Sequence, residues 1–389
     1  MSSRSTLTGV LPMHRKFRTD NERSFPRSRS TCASAMVFPD ESDSSCHHSY
    51  FTVRGESKYN LDAGFHNSYV GFDLTHEKTH APPAVHHYIP IFYSKRWASG
   101  SPAMLTRYAL WRPGIVAVDR KAPKGVGWEP NGYSFDGFTG DEAEVVETDL
   151  MKPKDGKASV ILGRLEKDGA SGSWNNNDRY AWTWFIVSLL VRGPEDVQSA
   201  KRNISVEWAN PNQRMEARYQ KLLTEFPTMR DSAHPTLKEH IASMGEDYGK
   251  RLGVKIMAHV TEQKEISFAI ANMQWEVRRI SGIRSLLTSD RPVRRDYPFK
   301  SKNALVTIPI GPKAVFLAAH SQKVIERAFR GGDSEFVRRN NLHVVRQARQ
   351  FVFASDAGDR EWVTKNIAKE PQPGFFDFIR GTGAKPTFV

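Results

Sequence analysis

Cysteine is almost absent from this chain: there are two in 389 residues, Cys32 and Cys46, both near the N-terminus. Everything after Cys46 is therefore without disulfides or thiolate metal ligands, which favours a reducing, cytoplasmic setting. The Cys46-His47-His48 cluster does not match zinc-ligand spacing with Cys32, so a structural metal is not expected there. Long apolar runs are missing as well. The strongest, Tyr180 to Val191, is about a dozen residues, well short of the roughly 20 needed to span a bilayer. No charged n-region followed by an apolar stretch opens the chain, so a secretory signal is not expected. Several catalytic signatures are also lacking. There is no GxxxxGK phosphate loop, Ser289 has none of the glycines of a nucleophile elbow, and Gly331-Gly332 and Gly381-Thr382-Gly383 follow no strand in the required way. Nucleotide hydrolysis by a P-loop, hydrolysis by a standard triad and Rossmann-type redox chemistry are all disfavoured.

Positive charge is present in excess and unevenly placed. The formal net charge is +13. Residues 1–80 are close to neutral, with ten Lys/Arg and nine Asp/Glu, whereas residues 274–350 carry sixteen Lys/Arg against six Asp/Glu. Such a field attracts phosphates, nucleic acid or another polyanion, although charge speaks to association rather than to fold.

Residues 1–80 are rich in Ser, Arg, His and Asn with neither a helical nor a strand period, and read as a disordered tail or as a start site placed too far upstream, Met36 being one alternative. Organised sequence begins at Ala81-Pro82-Pro83. Pro90 suits the first turn of a short helix through Trp97, with His87 just outside it. Short apolar runs punctuated by Gly and Pro predict strands and turns over 105–138. The spacing predicts helices over 158–167 and 179–191, the latter apolar on nearly every face and hence buried in a bundle. Leu237, Ile241, Met244, Tyr248, Leu252 and Ile256 recur at intervals of three and four. They predict one long amphipathic helix despite Gly245, Gly249 and Gly253. Met273, Trp275 and Val277 then alternate with polar residues as a strand, Ser281-Gly282 turns the chain into a second strand through Thr288, and further strands are expected over 305–310 and 314–319. Helices over 334–351 and 360–369 follow. The fold expected is α+β, a helical bundle in the middle of the chain packed with an antiparallel sheet formed largely by the C-terminal half. Its main domain runs over 85–370, with a short tail at 371–389.

Two motifs stand reactive side chains directly before a proline that fixes the backbone: His86-His87-Tyr88-Ile89-Pro90 and Ser289-Asp290-Arg291-Pro292. A neutral imidazole and a carboxylate can bind a divalent metal or act as a base and its orienter, which makes His87 and Asp290 the candidate catalytic pair. His86 would add a third metal ligand and Glu147 or Asp296 a fourth, but nothing in the spacing requires it. The simpler reading gives each residue a separate task. His87 would cap the following helix and Asp290 would accept backbone N–H bonds in its turn.

A binding reading rests on the arginines around Asp290. Arg278, Arg279, Arg284, Arg291, Arg294 and Arg295, then Lys300 and Lys302, are interleaved with Trp275 and Tyr297. Guanidinium groups fit phosphate oxygens bidentately and aromatic faces stack on unpaired bases, so Arg291, Arg294, Arg295 and Trp275, with Arg192, are the binding candidates. The alternation around Trp275 places its ring in the core on the competing reading. A module held by protein partners finds support only in the tail and in Phe375, Phe376 and Phe378.

Taken in order, His87-Tyr88-Ile89-Pro90 with Trp97, the apolar helix ending at Arg192-Gly193-Pro194, Trp275 on a strand, Ser289-Asp290-Arg291-Pro292, Pro309-Ile310-Gly311-Pro312, and Asn341 with Ala348 on a late helix resemble the domain of unknown function family 4238 over residues 85–370. Each motif is short, and their order carries the resemblance. Two positions depart from the family pattern: Gly193 stands where Thr is usual between Arg and Pro, and Gly311 where Ser or Thr is usual. The resemblance implies a mostly bacterial, cytoplasmic protein and leaves the chemistry open. The function expected is contact with a phosphate-bearing partner such as nucleic acid through the basic C-terminal half, with a metal-assisted hydrolase or nuclease built on His87 and Asp290 as the alternative.

Overall fold

The computed structural model describes residues 84–134, 144, 146–225, 234–245, 247–261 and 264–371. The expected N-terminal tail, both cysteines and the Phe375–Phe378 end lie outside the described residues. The fold is α+β, as the pattern of elements predicts. Eleven helices and ten strands are present among the described residues.

Strand β1 (Val85–His87) pairs antiparallel with β4 (Trp128–Pro130), setting His87 opposite Trp128. Helix α1 (Ile91–Ser94) follows directly and runs into a 3-10 turn ending at Trp97. Pro90 is its N-cap in extended conformation, so the expected helix is there, while His87 belongs to a strand rather than to the cap. Strands β2 (Leu105–Arg112) and β3 (Ile115–Lys121) form a hairpin. They join β10 (Phe351–Ala354) and β6 (Thr288–Ser289) in a sheet of order β3-β2-β10-β6. A second antiparallel sheet, β5-β9-β8-β7, is built from β5 (Gln274–Arg279), β7 (Arg294–Asp296), β8 (Leu305–Gly311) and β9 (Ala314–Ala319). The C-terminal half thus supplies all of one sheet and two strands of the other.

The middle of the chain is helical. A π-helical turn, Val146–Met151, leads into α2 (Lys152–Asp168). Helix α3 (Asn176–Val191) opens on a reciprocal capping box between Asn175 and Asp178, which satisfies two of the free N–H groups of its first turn. Trp182, Phe185, Ile186 and Val187 are fully buried along it. Trp182 meets Phe316 of β9 edge-on, with ring centroids 5.6 Å apart, so the all-apolar helix lies against the second sheet. Next come α4 (Pro194–Ala209), α5 (Gln213–Glu225), α6 (Leu237–Ser243), α7 (Tyr248–Thr261) and α8 (Lys264–Ala271).

The single helix expected over 237–256 is two. Gly245 adopts φ +83°, a left-handed conformation that stops the first helix, and the apolar spacing merely continues across the break. The other two glycines have a packing role. A Cβ at Gly249 would sit 2.6 Å from Ser205 Cα, and one at Gly253 would sit 2.7 Å from Lys201 Cα, so α7 crosses α4 backbone against backbone.

Helices α9 (Gln322–Ala328) and α10 (Gly332–Gln347) cover the second sheet, where Val315, Leu317, Ile325, Phe336 and Val337 share a core. The helix expected over 334–351 ends at Gln347; residues 348–350 form a link, and Phe351 already begins the strand β10. Tyr108, Val345, Val352 and Val363 form a second core with α11 (Arg360–Asn366). No helix among the described residues is long and apolar enough to cross a membrane.

Candidate functional site

Strand β1 places two adjacent histidines in different surroundings, because successive strand residues face opposite sides. His86 is 2% exposed and stacks on Tyr133, with ring centroids 5.3 Å apart and planes within 5°. The backbone N–H of Tyr133 donates to His86 Nδ1 at 2.8 Å. Nδ1 is therefore the unprotonated nitrogen of the neutral ring, and Nε2 carries its proton toward Glu144, with which it forms a short hydrogen bond. Glu144 also accepts from Ser134 Oγ at 2.6 Å. This imidazole is held at both nitrogens.

His87 is half-buried and held at one. Its Nε2 lies 3.2 Å from the carbonyl of Lys124, which can only accept, so the proton sits on Nε2 and Nδ1 keeps its lone pair. Burial pushes the imidazole below its ordinary value, outweighing the Lys124 carbonyl and the Asp155 charge that pull the other way. His87 is therefore a neutral base at pH 7.

Three further groups surround the histidines. Asp155, in the first turn of α2, accepts from Arg192 Nη1 at 2.9 Å. Burial raises the Asp155 carboxyl in spite of that partner. Glu147, on the π-helical turn, is likewise pushed up by burial, with the positive groups Lys152 and Arg192 opposing. Arg192 caps the C-terminal end of α3, is 1% exposed, and has the Phe185 ring 5.4 Å from its guanidinium carbon. Its carbonyl accepts from Tyr133 Oη at 3.0 Å, which ties this end of α3 to the His86 stack. Arg192 Nε and Nη2 are buried and find no acceptor among the described residues.

His86, His87, Glu147 and Arg192, each singled out in the sequence, thus come together electrostatically. Asp290 keeps different company. Its Oδ1 accepts from Arg349 N at 3.0 Å, and its Oδ2 accepts from Gln350 N at 2.7 Å and Phe351 N at 2.9 Å. Its own N–H donates to the Phe351 carbonyl at 3.0 Å. The carboxylate is a staple joining β6 to the start of β10: it accepts backbone N–H bonds as the simpler sequence reading has it, but from residues 349–351 rather than from its own turn, where Ser289 Oγ accepts from Arg291 N. Tyr88, the neighbour of His87, is the residue of that motif whose hydroxyl senses Asp290. The arginines near Asp290 in the sequence would lower its carboxyl if their charges prevailed, but here they do not. Burial raises Asp290, and the three backbone N–H bonds and Arg291 only oppose it.

The binding candidates of the C-terminal half are largely engaged within the fold. Arg291 pairs with the buried Asp196 at 2.7 Å, and Arg294 holds Asp296 through two bonds of 2.9 and 2.7 Å. Arg278 pairs with Glu276 and lies 3.8 Å over the Phe329 ring. Arg295 stands 5.1 Å from the Phe299 ring centre. Trp275 is half-buried between the Arg179 guanidinium, 4.0 Å above its ring, and the edge of Phe316 at 5.1 Å, while its Nε1 donates to the Ile270 carbonyl. Its ring serves the core rather than standing out as a stacking platform. Among the described residues, no three His, Cys, Asp or Glu side chains converge closely enough to hold a metal ion. His86, His87 and Glu147 are thus neighbours without being a ligand set.

Sequence reasoning passed over Asp155, Glu144 and Tyr133. Asp155 carries one signal, an acidic residue in the first turn after Pro153, though that is ordinary at a helix start. Nothing in the spacing marks the others.

The geometry defines an acid–base cluster on an α+β scaffold. The model of the family described as protein of unknown function (DUF4238) matches residues 85–358, and the chain belongs to that family. No curated protein and no solved structure matches the chain.

Proposed function

We propose that this protein is an enzyme of the general acid–base type, with His87 as the base and Glu147 as the acid. The observation that supports this most is that the two groups shift toward each other. Burial lowers the imidazole and raises the carboxyl, and each feels the charges of Asp155 and Arg192, so a neutral base and a protonatable acid stand around the same ion pair. His86, fixed by Tyr133 and Glu144, sets the course of β1 and so the position of His87. Asp155 and Arg192 hold the polar wall beside them.

The test is a pair of measurements on the full chain. NMR titration of His87 gives a value below 6.5 and a Nε2-protonated tautomer. A screen of ester, amide and phosphoester chromogenic substrates gives turnover that His87→Gln and Glu147→Gln both lower by about 100-fold or more, the usual contribution of a general acid or base. Turnover unaffected by either change would sink the reading.

Contact with a phosphate-bearing partner keeps the support of the charge surplus. It now rests on exposed groups such as Arg284 and Lys302, since Arg278, Arg291 and Arg294 have internal partners. Binding to a mixed-sequence duplex must weaken steeply with added salt if this contact exists.

A further inference from the structure

Among the described residues, several arginines hold both oxygens of a carboxylate through the same edge of the guanidinium, the one that carries Nε–H and an Nη2–H. Arg96 grips Glu166 at 2.8 and 3.0 Å. Arg107 grips Asp119 at 3.0 and 2.7 Å, Arg294 grips Asp296 at 2.9 and 2.7 Å, and Arg338 grips Glu335 at 2.8 and 2.7 Å. In Arg192 that edge is empty. Among the described residues its side chain makes one hydrogen bond, from Nη1 to Asp155, on the far side of the group. Nε and Nη2 are buried without an acceptor among the described residues, in the most buried arginine of the site. Two parallel N–H donors kept from water are costly to leave unmade, and each such group is a strong reason to look for an acceptor.

We propose that the Nε–Nη2 edge of Arg192 is a binding site for the carboxylate of a small-molecule ligand, held side-on by two parallel hydrogen bonds. This rests on the acid–base reading only for what happens next to the ligand; the binding itself does not require His87. Charge selects the class of anion. Arg192 is already neutralised by Asp155, and Glu147 is also close enough to be affected by both. A singly charged carboxylate restores one favourable ion pair there. A phosphate dianion brings a second negative charge against two carboxyl groups and is disfavoured. The planar carboxylate also matches the fork in shape.

The experiment is an NMR titration of the full chain, labelled with 15N-arginine, with acetate and benzoate against inorganic phosphate at constant ionic strength. The Nε–H resonance of Arg192, assigned by its loss in Arg192→Lys, is the readout. Saturable shifts with the carboxylates and at least tenfold weaker binding of phosphate are expected. Arg192→Lys keeps the charge and lacks the fork, and weakens acetate binding by about tenfold or more. Asp155→Asn removes a competing charge, tightens carboxylate binding and keeps the proposal testable if Arg192→Lys fails to fold. His87→Gln retains acetate binding, so loss of turnover in that variant with binding intact separates the two claims. No saturable shift, an edge occupied by an ordered water alone, or phosphate binding as tightly as acetate would each overturn the assignment.

Discussion

Replacing Asp290 tests whether its carboxylate is a structural staple. Its two oxygens accept three consecutive backbone N–H groups, from Arg349, Gln350 and Phe351, at 3.0, 2.7 and 2.9 Å. Those residues link α10 to β10, and β10 is the strand that joins the β2–β3 hairpin to β6. Asp290→Ala removes every acceptor at once. A hydrogen bond to a charged group is worth about 1.5–3 kcal/mol, and water entering the vacated space recovers part of the loss, so the change costs roughly 3–5 kcal/mol. Asp290→Asn keeps one acceptor oxygen. Placed as Oδ2 it retains the Gln350 and Phe351 bonds and turns its NH2 toward the Arg349 N–H, so the cost falls to about 1–3 kcal/mol. Urea unfolding of the three proteins, with equal slopes, reads these values directly.

The pH dependence follows from the direction of the shift. Burial raises the folded-state pKa of Asp290 above the unfolded value. Its contribution to stability is therefore greatest below the unfolded carboxylate range and declines as pH rises through the folded value. Asp290→Asn removes that slope. An Asp290→Ala protein within about 1 kcal/mol of wild type would refute the staple and return the carboxylate to the list of functional groups.

Other perturbations read other parts of the fold. Gly253→Ala should destabilise by about 1–3 kcal/mol in spite of its better helix propensity, because the new Cβ meets the Lys201 and Ala200 backbone at 2.7–2.8 Å; thermal unfolding unchanged or raised would contradict the close α4–α7 crossing. His87 has a folded pKa below its unfolded one, so its contribution is complete above the unfolded value and stability is lost as pH falls below about 6.5. His87→Gln should flatten that limb of a pH–stability curve, and an unchanged limb would count against a neutral His87. Trp111, at the tip of the β2–β3 hairpin and 76% exposed, should tolerate Ser within about 0.5 kcal/mol by chemical denaturation, since it buries little on folding.

Much of the scaffold can be read from local pattern. The apolar run through Trp182 and Phe185 announces a central helix, and the alternation at Met273, Trp275 and Val277 announces β5. Where local pattern misleads, the reasons are specific. The 3–4 spacing across Gly245 continues because α6 and α7 both bury apolar residues, while the left-handed glycine between them ends the first helix. Strand β10 is four residues long and follows α10 after a three-residue link, so that link and Phe351 read as a last helical turn. Two members of the candidate site, His87 and Arg192, stand out beside prolines in the sequence. Asp155, Glu144 and Tyr133 do not, because they acquire their character from burial and contact rather than from neighbours in the chain.

By itself, then, the sequence determines the α+β class, the central helix, the family and the positions where reactive side chains meet rigid backbone. These are properties of period, order and residue type, and they need no knowledge of what packs on what. Only the tertiary structure decides that Asp290 faces three backbone amides while His87 faces Asp155 and Arg192. It also decides that Arg278, Arg291 and Arg294 have carboxylates at hand, and that a buried arginine with an empty fork lies at the end of α3. Pairing across dozens to hundreds of residues sets charge, exposure and pKa, and no local pattern encodes it.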